Sequence, residues 1–160
     1  MTGVRWRVLP SPVGPLLLGA QGPHLRRIAF TDEEPTGLAG PDAGSLEEAV
    51  LAETAHQLGE YFAGERERFE LPLAPRGTDV QRRVWWALAD LGYGTTVSYG
   101  TLAARVGGSP RSVGAALGAN PIVIVLPCHR VVGADGGLVG FGGGVARKET
   151  LLALEGSALL

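Results

Sequence analysis

An apolar run that ends at the chain's single cysteine constrains this sequence more than any other feature. Ile122-Val123-Ile124-Val125-Leu126 is followed directly by Pro127-Cys128-His129-Arg130. A short continuous apolar run bounded by turn formers reads as a fully buried strand. The expectation is therefore a strand that delivers one thiol into a polar pocket. A free cysteine is most often a small buried hydrophobe, and its neighbours open the alternative. An adjacent imidazole can remove the thiol proton, directly or through one water, from a group with an ordinary pKa of about 8.5. That imidazole then needs an orienting group, as in catalytic triads. Asp135, Glu149 and Glu155 are the carboxylates available downstream. Glu155 lies at the end of a predicted amphipathic helix, beside Leu152 and Leu154.

Composition narrows the setting. At 160 residues and 45% hydrophobic content the chain fits one domain, or a small domain packed on a slightly larger one. No stretch approaches the roughly 18 apolar residues of a membrane span, and Met1 to Arg5 lacks a secretory layout. One cysteine can build neither an internal disulfide nor a Cys-rich zinc site. His24, in a turn, and His56, on an acidic helix, read as solvated, so neither a metal nor a cofactor is expected. These features predict a soluble, cytoplasmic protein with a reduced thiol. Residues 1–75 hold six Arg and eleven Asp/Glu, a balance of −5; residues 76–160 hold eight Arg/Lys and five Asp/Glu, a balance of +3. A polyanionic partner would favour the second half.

Along the chain, Val4 to Leu9, Leu16 to Ala20 and Leu25 to Phe30 read as a meander of short strands, and residues 31–44 as loop. Ser45 caps a helix, with Glu48 completing a capping box and Leu51, Ala55, Leu58 and Phe62 on its core face. The proline-punctuated stretch from Phe69 to Gly77 marks a boundary between domains 1–75 and 76–160. Thr78 or Asp79 caps the next helix, with Val80, Val84, Trp85 and Leu88 facing the core. Gly92-Tyr93-Gly94 breaks it. Ser98 caps a short helix, Tyr99 to Val106, and a Gly107-Gly108-Ser109-Pro110 turn leads into another, Arg111 to Ala119. This pair is a helix-turn-helix candidate. Asn120 is either a helix C-cap or a hinge into the cysteine segment. A glycine-rich stretch, Gly133 to Gly144, precedes a closing helix over Val145 to Leu154.

Taken together, these residues resemble a known family. The pattern is carried by Val80-Gln81, Val84-Trp85 and Leu88, then Gly94, Val97-Ser98-Tyr99 and Leu102-Ala103. It continues through Arg111, Val113-Gly114 and Ala116, Asn120-Pro121 and Pro127-Cys128-His129-Arg130-Val131. Gly143-Gly144, Lys148-Glu149, Leu151-Leu152 and Glu155-Gly156 complete it, so the C-terminal half is covered nearly continuously. Tyr61-Phe62, Gly64, Phe69 and Leu71-Pro72-Leu73 extend it into the N-terminal half. The family is that of the methylated-DNA–protein-cysteine methyltransferases.

The resemblance implies an α+β fold: a small N-terminal ribonuclease-H-like α/β domain and a mainly helical C-terminal domain with a helix-turn-helix. It implies direct, irreversible, stoichiometric transfer of the alkyl group from 6-O-methylguanine, with 4-O-methylthymine as a second candidate substrate, to Cys128 after base flipping. In that scheme His129 acts through a water as base, Glu155 holds His129, and Asn120 braces the turn at the reactive loop. Arg111 fills the space left by the flipped base, Tyr99 presses on the adjacent phosphate, and Ser112 and Ala115 contact DNA. Val131, Val139, Phe141 and Gly142 line the substrate pocket. Phe141-Gly142 departs from the family's usual tyrosine followed by serine or alanine, which removes a hydroxyl and a side chain from that wall. The expected partner is double-stranded DNA, bound in the minor groove without sequence preference by a monomer, with no membrane. Competing readings are a non-catalytic lesion binder, a transcriptional regulator and a cysteine hydrolase. Cys128 argues against the first, since the lesion-binding relatives lack it.

Overall fold

Three short strands open the chain: β1 (Arg5–Leu9), β2 (Leu16–Gln21) and β3 (His24–Phe30), paired antiparallel in the order β1-β2-β3. The computed structural model describes residues 3–133 and 143–156 and divides into two units, Met1–Arg76 and Gly77–Leu160. The expected meander is present, with strand bounds shifted by no more than one residue. The register slips between Gly19 and Ala20, where Gly19 faces Arg27 but Ala20 faces Leu25. Such a bulge breaks strict alternation, which lets Leu25 and Ile28 both point inward and become fully buried.

Helix α1 (Leu46–Phe62) belongs to this first unit. Ser45 Oγ accepts from the Glu48 amide at 3.1 Å, as expected of the N-cap. The reciprocal half of the predicted capping box goes elsewhere: Glu48 Oε1 accepts from Gly44, also at 3.1 Å. The Ser45 amide is already spent on the Asp42 carbonyl. Leu51, Ala55 and Leu58 are buried, but the helix closes its apolar face with Tyr61 rather than with the half-buried Phe62. Proline is tolerated at residues 71–75 because that stretch makes only sparse backbone bonds to β3. Its bonds are Leu25 N–H to the Pro72 carbonyl at 2.8 Å and Ala74 N–H to the Leu25 carbonyl at 3.0 Å.

The second unit is mainly helical: α2 (Asp79–Ala89), α3 (Tyr99–Val106), α4 (Pro110–Gly118) and α5 (Val145–Leu154). Two residue pairs, β4 (Val97–Ser98) and β5 (Val131–Val132), form a short parallel ladder. Thr78, not Asp79, is the cap of α2, in a reciprocal box with Gln81. Ser98 caps α3, which ends at Gly107 in the left-handed conformation, φ 72°. Ser109 caps α4, with Pro110 in its first turn, where the missing N–H costs nothing. Indole Nε1 of the buried Trp85 donates to the Ala116 carbonyl at 2.8 Å and pins α2 to α4. Val80, expected in the core, is 50% exposed. It lies in the first turn of α2, and the buried stripe begins one turn later at Val84.

The run Ile122 to Leu126 is buried or half-buried as expected, but it is not a strand. Leu126 N–H bonds to the Ile122 carbonyl at 3.0 Å and Val125 N–H to that of Val123 at 2.8 Å, which folds the run into turns. A continuous apolar run reports burial, not backbone conformation. Among the described residues no helix is long and apolar enough to cross a membrane.

Gly77 shows how tightly the second unit packs. A Cβ there would lie 2.6 Å from Trp85 Cζ3 and 2.7 Å from Gln81 Oε1. Trp85 is held by burial and by its bond to Ala116, so it cannot swing aside freely. Gly77→Ala is expected to destabilise the protein by about 1–3 kcal/mol, read as a lower urea midpoint by tryptophan fluorescence. An unchanged midpoint would mean that the backbone at Gly77 shifts without cost.

Candidate active site

Asn120 organises the approach to the cysteine. Its Nδ2 donates to the Leu126 carbonyl at 2.7 Å, and its Oδ1 accepts from the Ile122 amide at 3.0 Å. One buried side chain thus bridges both ends of the turn. The C-cap of α4 is Ala119, so of the two readings of Asn120 the geometry matches the hinge. Inside the turn, Ile124 is buried with φ 73°. A β-branched residue in the left-handed region costs of order 1–3 kcal/mol and persists only where its surroundings fix it. The chain then enters a single 3₁₀ turn, Cys128–Arg130, and leaves it through β5.

Cys128 is buried and free. Burial pushes its thiol pKa up, so the resting group is the neutral thiol. Opposing this are a hydrogen bond from the Asn120 side chain, the charge of Lys148, and the backbone N–H groups of Cys128 and His129. Tyr99, half-buried on α3, has its hydroxyl pKa raised by burial and then by the nearby Cys128. Lys148 is the only lysine in the chain. It is buried on α5 and donates from Nζ to the Val131 carbonyl at 2.6 Å. Burial lowers its pKa, and the proximity of Cys128 opposes that.

His129 is fully buried, with Nε2 2.7 Å from Glu155 Oε2. A carboxylate only accepts, so Nε2 carries the ring proton and the basic lone pair is on Nδ1. That Nδ1 is buried, with no hydrogen-bond partner among the described residues. Burial pushes the imidazole pKa down, against the pull of Glu155. The contact is therefore a hydrogen bond from a neutral ring, not an ion pair. Glu155 also receives Arg130: Nε to Oε1 at 2.8 Å and Nη2 to Oε2 at 3.0 Å. Arg130 Nη1 continues to the Leu91 carbonyl at 2.6 Å, and the guanidinium carbon stands 5.9 Å from the centre of the Tyr93 ring. The Gly94 amide makes a longer contact to Glu155 Oε1, 3.4 Å. Gly94 has φ 76°, and a Cβ there would come within 3.0 Å of the Glu155 carbonyl, so a side chain would disturb this end of α5.

The structure therefore brings Cys128, His129, Glu155, Asn120 and Val131 into one buried region, with Tyr99 at its edge. Of the three candidate carboxylates, Glu155 is the one paired with His129, whereas Glu149 is exposed. Arg111 and Ala115 are exposed on α4. The Ser112 hydroxyl is engaged in the helix cap, accepting from the Ser109 amide and donating to its carbonyl, both at 3.0 Å. Asp135, Val139, Phe141 and Gly142 lie outside the described residues. Sequence reasoning gave no role to Arg130 or Lys148. Lys148 entered only among the residues that carry the resemblance, with no role attached.

The state of His129 has a consequence for stability. Its folded pKa lies below the ordinary value of 6.5, so below that pH the unfolded chain binds the proton that the folded chain refuses. This contribution is present in full above pH 6.5 and is lost as pH falls through the lowered folded value. The free energy of unfolding is expected to decline on acidification from pH 6.5, and His129→Gln to remove most of that slope. Urea titrations at half-unit pH steps check this. Equal slopes in both proteins would mean that His129 already carries its proton in the fold.

Comparisons with known proteins give the family. The chain matches the family model of the 6-O-methylguanine DNA methyltransferase ribonuclease-like domain over residues 4–75, and that of the DNA-binding domain over residues 79–157. Among curated proteins, the methylated-DNA–protein-cysteine methyltransferase of Mycobacterium bovis is 46% identical over 96% of this chain and 93% of its own length. The protein of the same name from Methanosarcina acetivorans is 42% identical over 95% and 98%. Among solved structures, Mycobacterium tuberculosis OGT in complex with DNA is 44% identical, with a TM-score of 0.83, over 94% of this chain and 92% of that one. The chain belongs to the 6-O-methylguanine DNA methyltransferase family.

Proposed function

We propose that this protein repairs DNA by moving the alkyl group of 6-O-methylguanine onto Cys128, with 4-O-methylthymine a second candidate substrate. The observation that carries this reading is the buried His129, tied through Nε2 to Glu155 with its Nδ1 lone pair left free, in the same helical turn as the thiol. In the step proposed, the thiol proton passes through a water to His129 Nδ1, and the sulfur attacks the methyl carbon. The carbon–oxygen bond breaks as the carbon–sulfur bond forms. The electron pair stays on the guanine, which takes back the proton that His129 collected and remains in the DNA as ordinary guanine. Asn120, Lys148 and the two backbone amides stabilise sulfur charge as it develops. No second cysteine exists to displace the thioether, so each molecule acts once.

The same reading places α3 and α4 as a helix-turn-helix with α4 in the minor groove of duplex DNA. Flipping a base costs a few kcal/mol of stacking and pairing, and Arg111, exposed at the start of α4, inserts to offset part of it. Tyr99 presses on the neighbouring phosphate, Ser112 and Ala115 follow the backbone, and Val131, Val139, Phe141 and Gly142 enclose the base. Binding is then dominated by phosphates and is independent of sequence. The protein acts as a monomer in the cytoplasm, where its thiol stays reduced.

Duplex DNA carrying a radiolabelled methyl group on guanine O6 tests this directly. Label is expected on the protein up to one equivalent and no further, and on none of the Cys128→Ser protein, which should still bind DNA. Absence of bound label would leave a lesion-binding protein, and release of label with turnover would point to a hydrolase. Arg111→Ala is expected to slow transfer from duplex DNA by tenfold or more, roughly the 1.4 kcal/mol that a lost flipping contact would remove. Reaction with the free methylated base should be nearly unaffected. Equal losses on both would overturn a role in flipping.

A further inference from the structure

The transfer chemistry above assigns no task to Arg130, yet its side chain is buried and makes three hydrogen bonds around the base. Two go to the two oxygens of Glu155 and one to the Leu91 carbonyl. His129 Nε2 shares Oε2 with Arg130 Nη2, at 2.7 and 3.0 Å. Of the two side chains seen on this carboxylate among the described residues, only Arg130 is permanently charged. We propose that Arg130 is a positioning residue for alkyl transfer: by engaging both oxygens of Glu155 it keeps the carboxylate ionised and oriented, so that His129 holds its proton on Nε2 and its lone pair on Nδ1. This inference rests on the transfer reading and says what that reading needs from the base.

The reasoning follows from proton counting. Without Arg130, the buried carboxylate facing the imidazole loses the cation bonded to it among the described residues, which is strongly unfavourable. The pair can relieve it by binding one proton in either of two places. On the imidazole, that proton occupies Nδ1 and the base is lost. On the carboxyl, the Glu155 hydroxyl must donate to Nε2, which forces the ring proton onto Nδ1, and the base is lost again. Arg130 supplies the positive charge without supplying a proton, so both outcomes are avoided. The other groups around His129 do not substitute for it. Lys148 on α5 donates to the Val131 carbonyl and carries its charge beside Cys128. Cys128 is neutral at rest, and Tyr99 on α3 faces Cys128. The positive charges of Arg130 and Lys148 also both oppose protonation of the ring.

Histidine NMR of the full chain tests this without DNA or substrate, so a failure of the transfer reading would not obscure it. There are three histidines, and His24 and His56 are exposed, which leaves His129 as the protected ring. In the wild type its ¹⁵N shifts are expected to report the neutral Nε2–H tautomer from pH 8 to about pH 6. In Arg130→Met the ring should gain a proton or switch tautomer near neutral pH. The acid limb of the single-turnover transfer rate should move up by about one pH unit or more, the usual effect of a charge at this range. Arg130→Lys, which supplies charge but cannot span both oxygens and the Leu91 carbonyl, should fall between the two. A folded Arg130→Met protein with an unchanged tautomer and an unchanged acid limb would overturn the proposal. So would a wild-type His129 found as imidazolium at pH 7, a result that needs no variant to fold.

Discussion

The carboxylate of Glu155 is the constraint on which the rest of the site depends. It sits at the C-cap of α5, where the helix carbonyls make an anion unfavourable, and it is buried. A charge in that position survives only if donors surround it. Arg130 supplies two, His129 one and Gly94 a longer contact. Each of those donors is then fixed in turn. Arg130 is tied to the Leu91 carbonyl, Tyr93 donates to the Leu154 carbonyl, and Gly94 must lack a side chain to pass the end of α5. Satisfying one anion thereby fixes the segment from Leu91 to Gly94 and the reactive turn against the last residues of α5.

The nucleophile follows a different logic. Its charged form is unstable at rest because burial outweighs everything that favours it. The groups that favour it are nonetheless already in place: Asn120, Lys148 and two backbone amides. Donors fixed in advance cost no reorganisation when charge appears, so their effect is greatest as the thiol proton leaves. A permanently ionised thiol would be open to any small electrophile. A neutral one whose base must first collect the proton is kept in reserve, which suits a protein that reacts once. Asn120 serves both requirements, because the side chain that bonds the thiol also closes the turn leading to it.

Much of the fold was legible because local chemistry and packing agree there. The short apolar runs of the three strands and the caps at Ser45 and Ser98 act within a few residues, whereas the choice between Thr78 and Asp79 at the start of α2 stayed open. The errors lie where tertiary contacts decide. Val80 matches the apolar spacing of α2 but falls in a turn that nothing covers. Tyr61 replaces Phe62 because its ring packs near both Phe62 and Phe69, at 5.2 and 5.4 Å between centres. In the site, adjacency suggested His129 as base and left Glu155 one of three carboxylates and Asn120 a cap or a hinge; resemblance to known repair proteins chose among these. Nothing in the local sequence marks Arg130 as buried, since its partners Glu155 and Leu91 are 25 and 39 residues away. A buried Glu155 at the end of α5 requires a compensating cation, which only the fold brings to it. The pocket wall at Val139, Phe141 and Gly142 remains an expectation from resemblance.

Residues 122–126 form turns where their apolar pattern predicts a strand, and that difference explains the site. In a strand, consecutive side chains point to opposite faces. Had the run continued extended through Cys128, His129 and Arg130 would have faced apart, and one carboxylate could not have held both. A 3₁₀ turn spreads successive side chains by about 120°, so His129 and Arg130 can both converge on Glu155 while Cys128 remains in the same turn. Entering that turn requires the chain to reverse just before it. The reversal is supplied by Ile124 in the left-handed region and by Asn120 bonded to both ends of residues 122–126. The strain at Ile124 is thus the local cost of placing the thiol, its base and the base's anchor on consecutive residues.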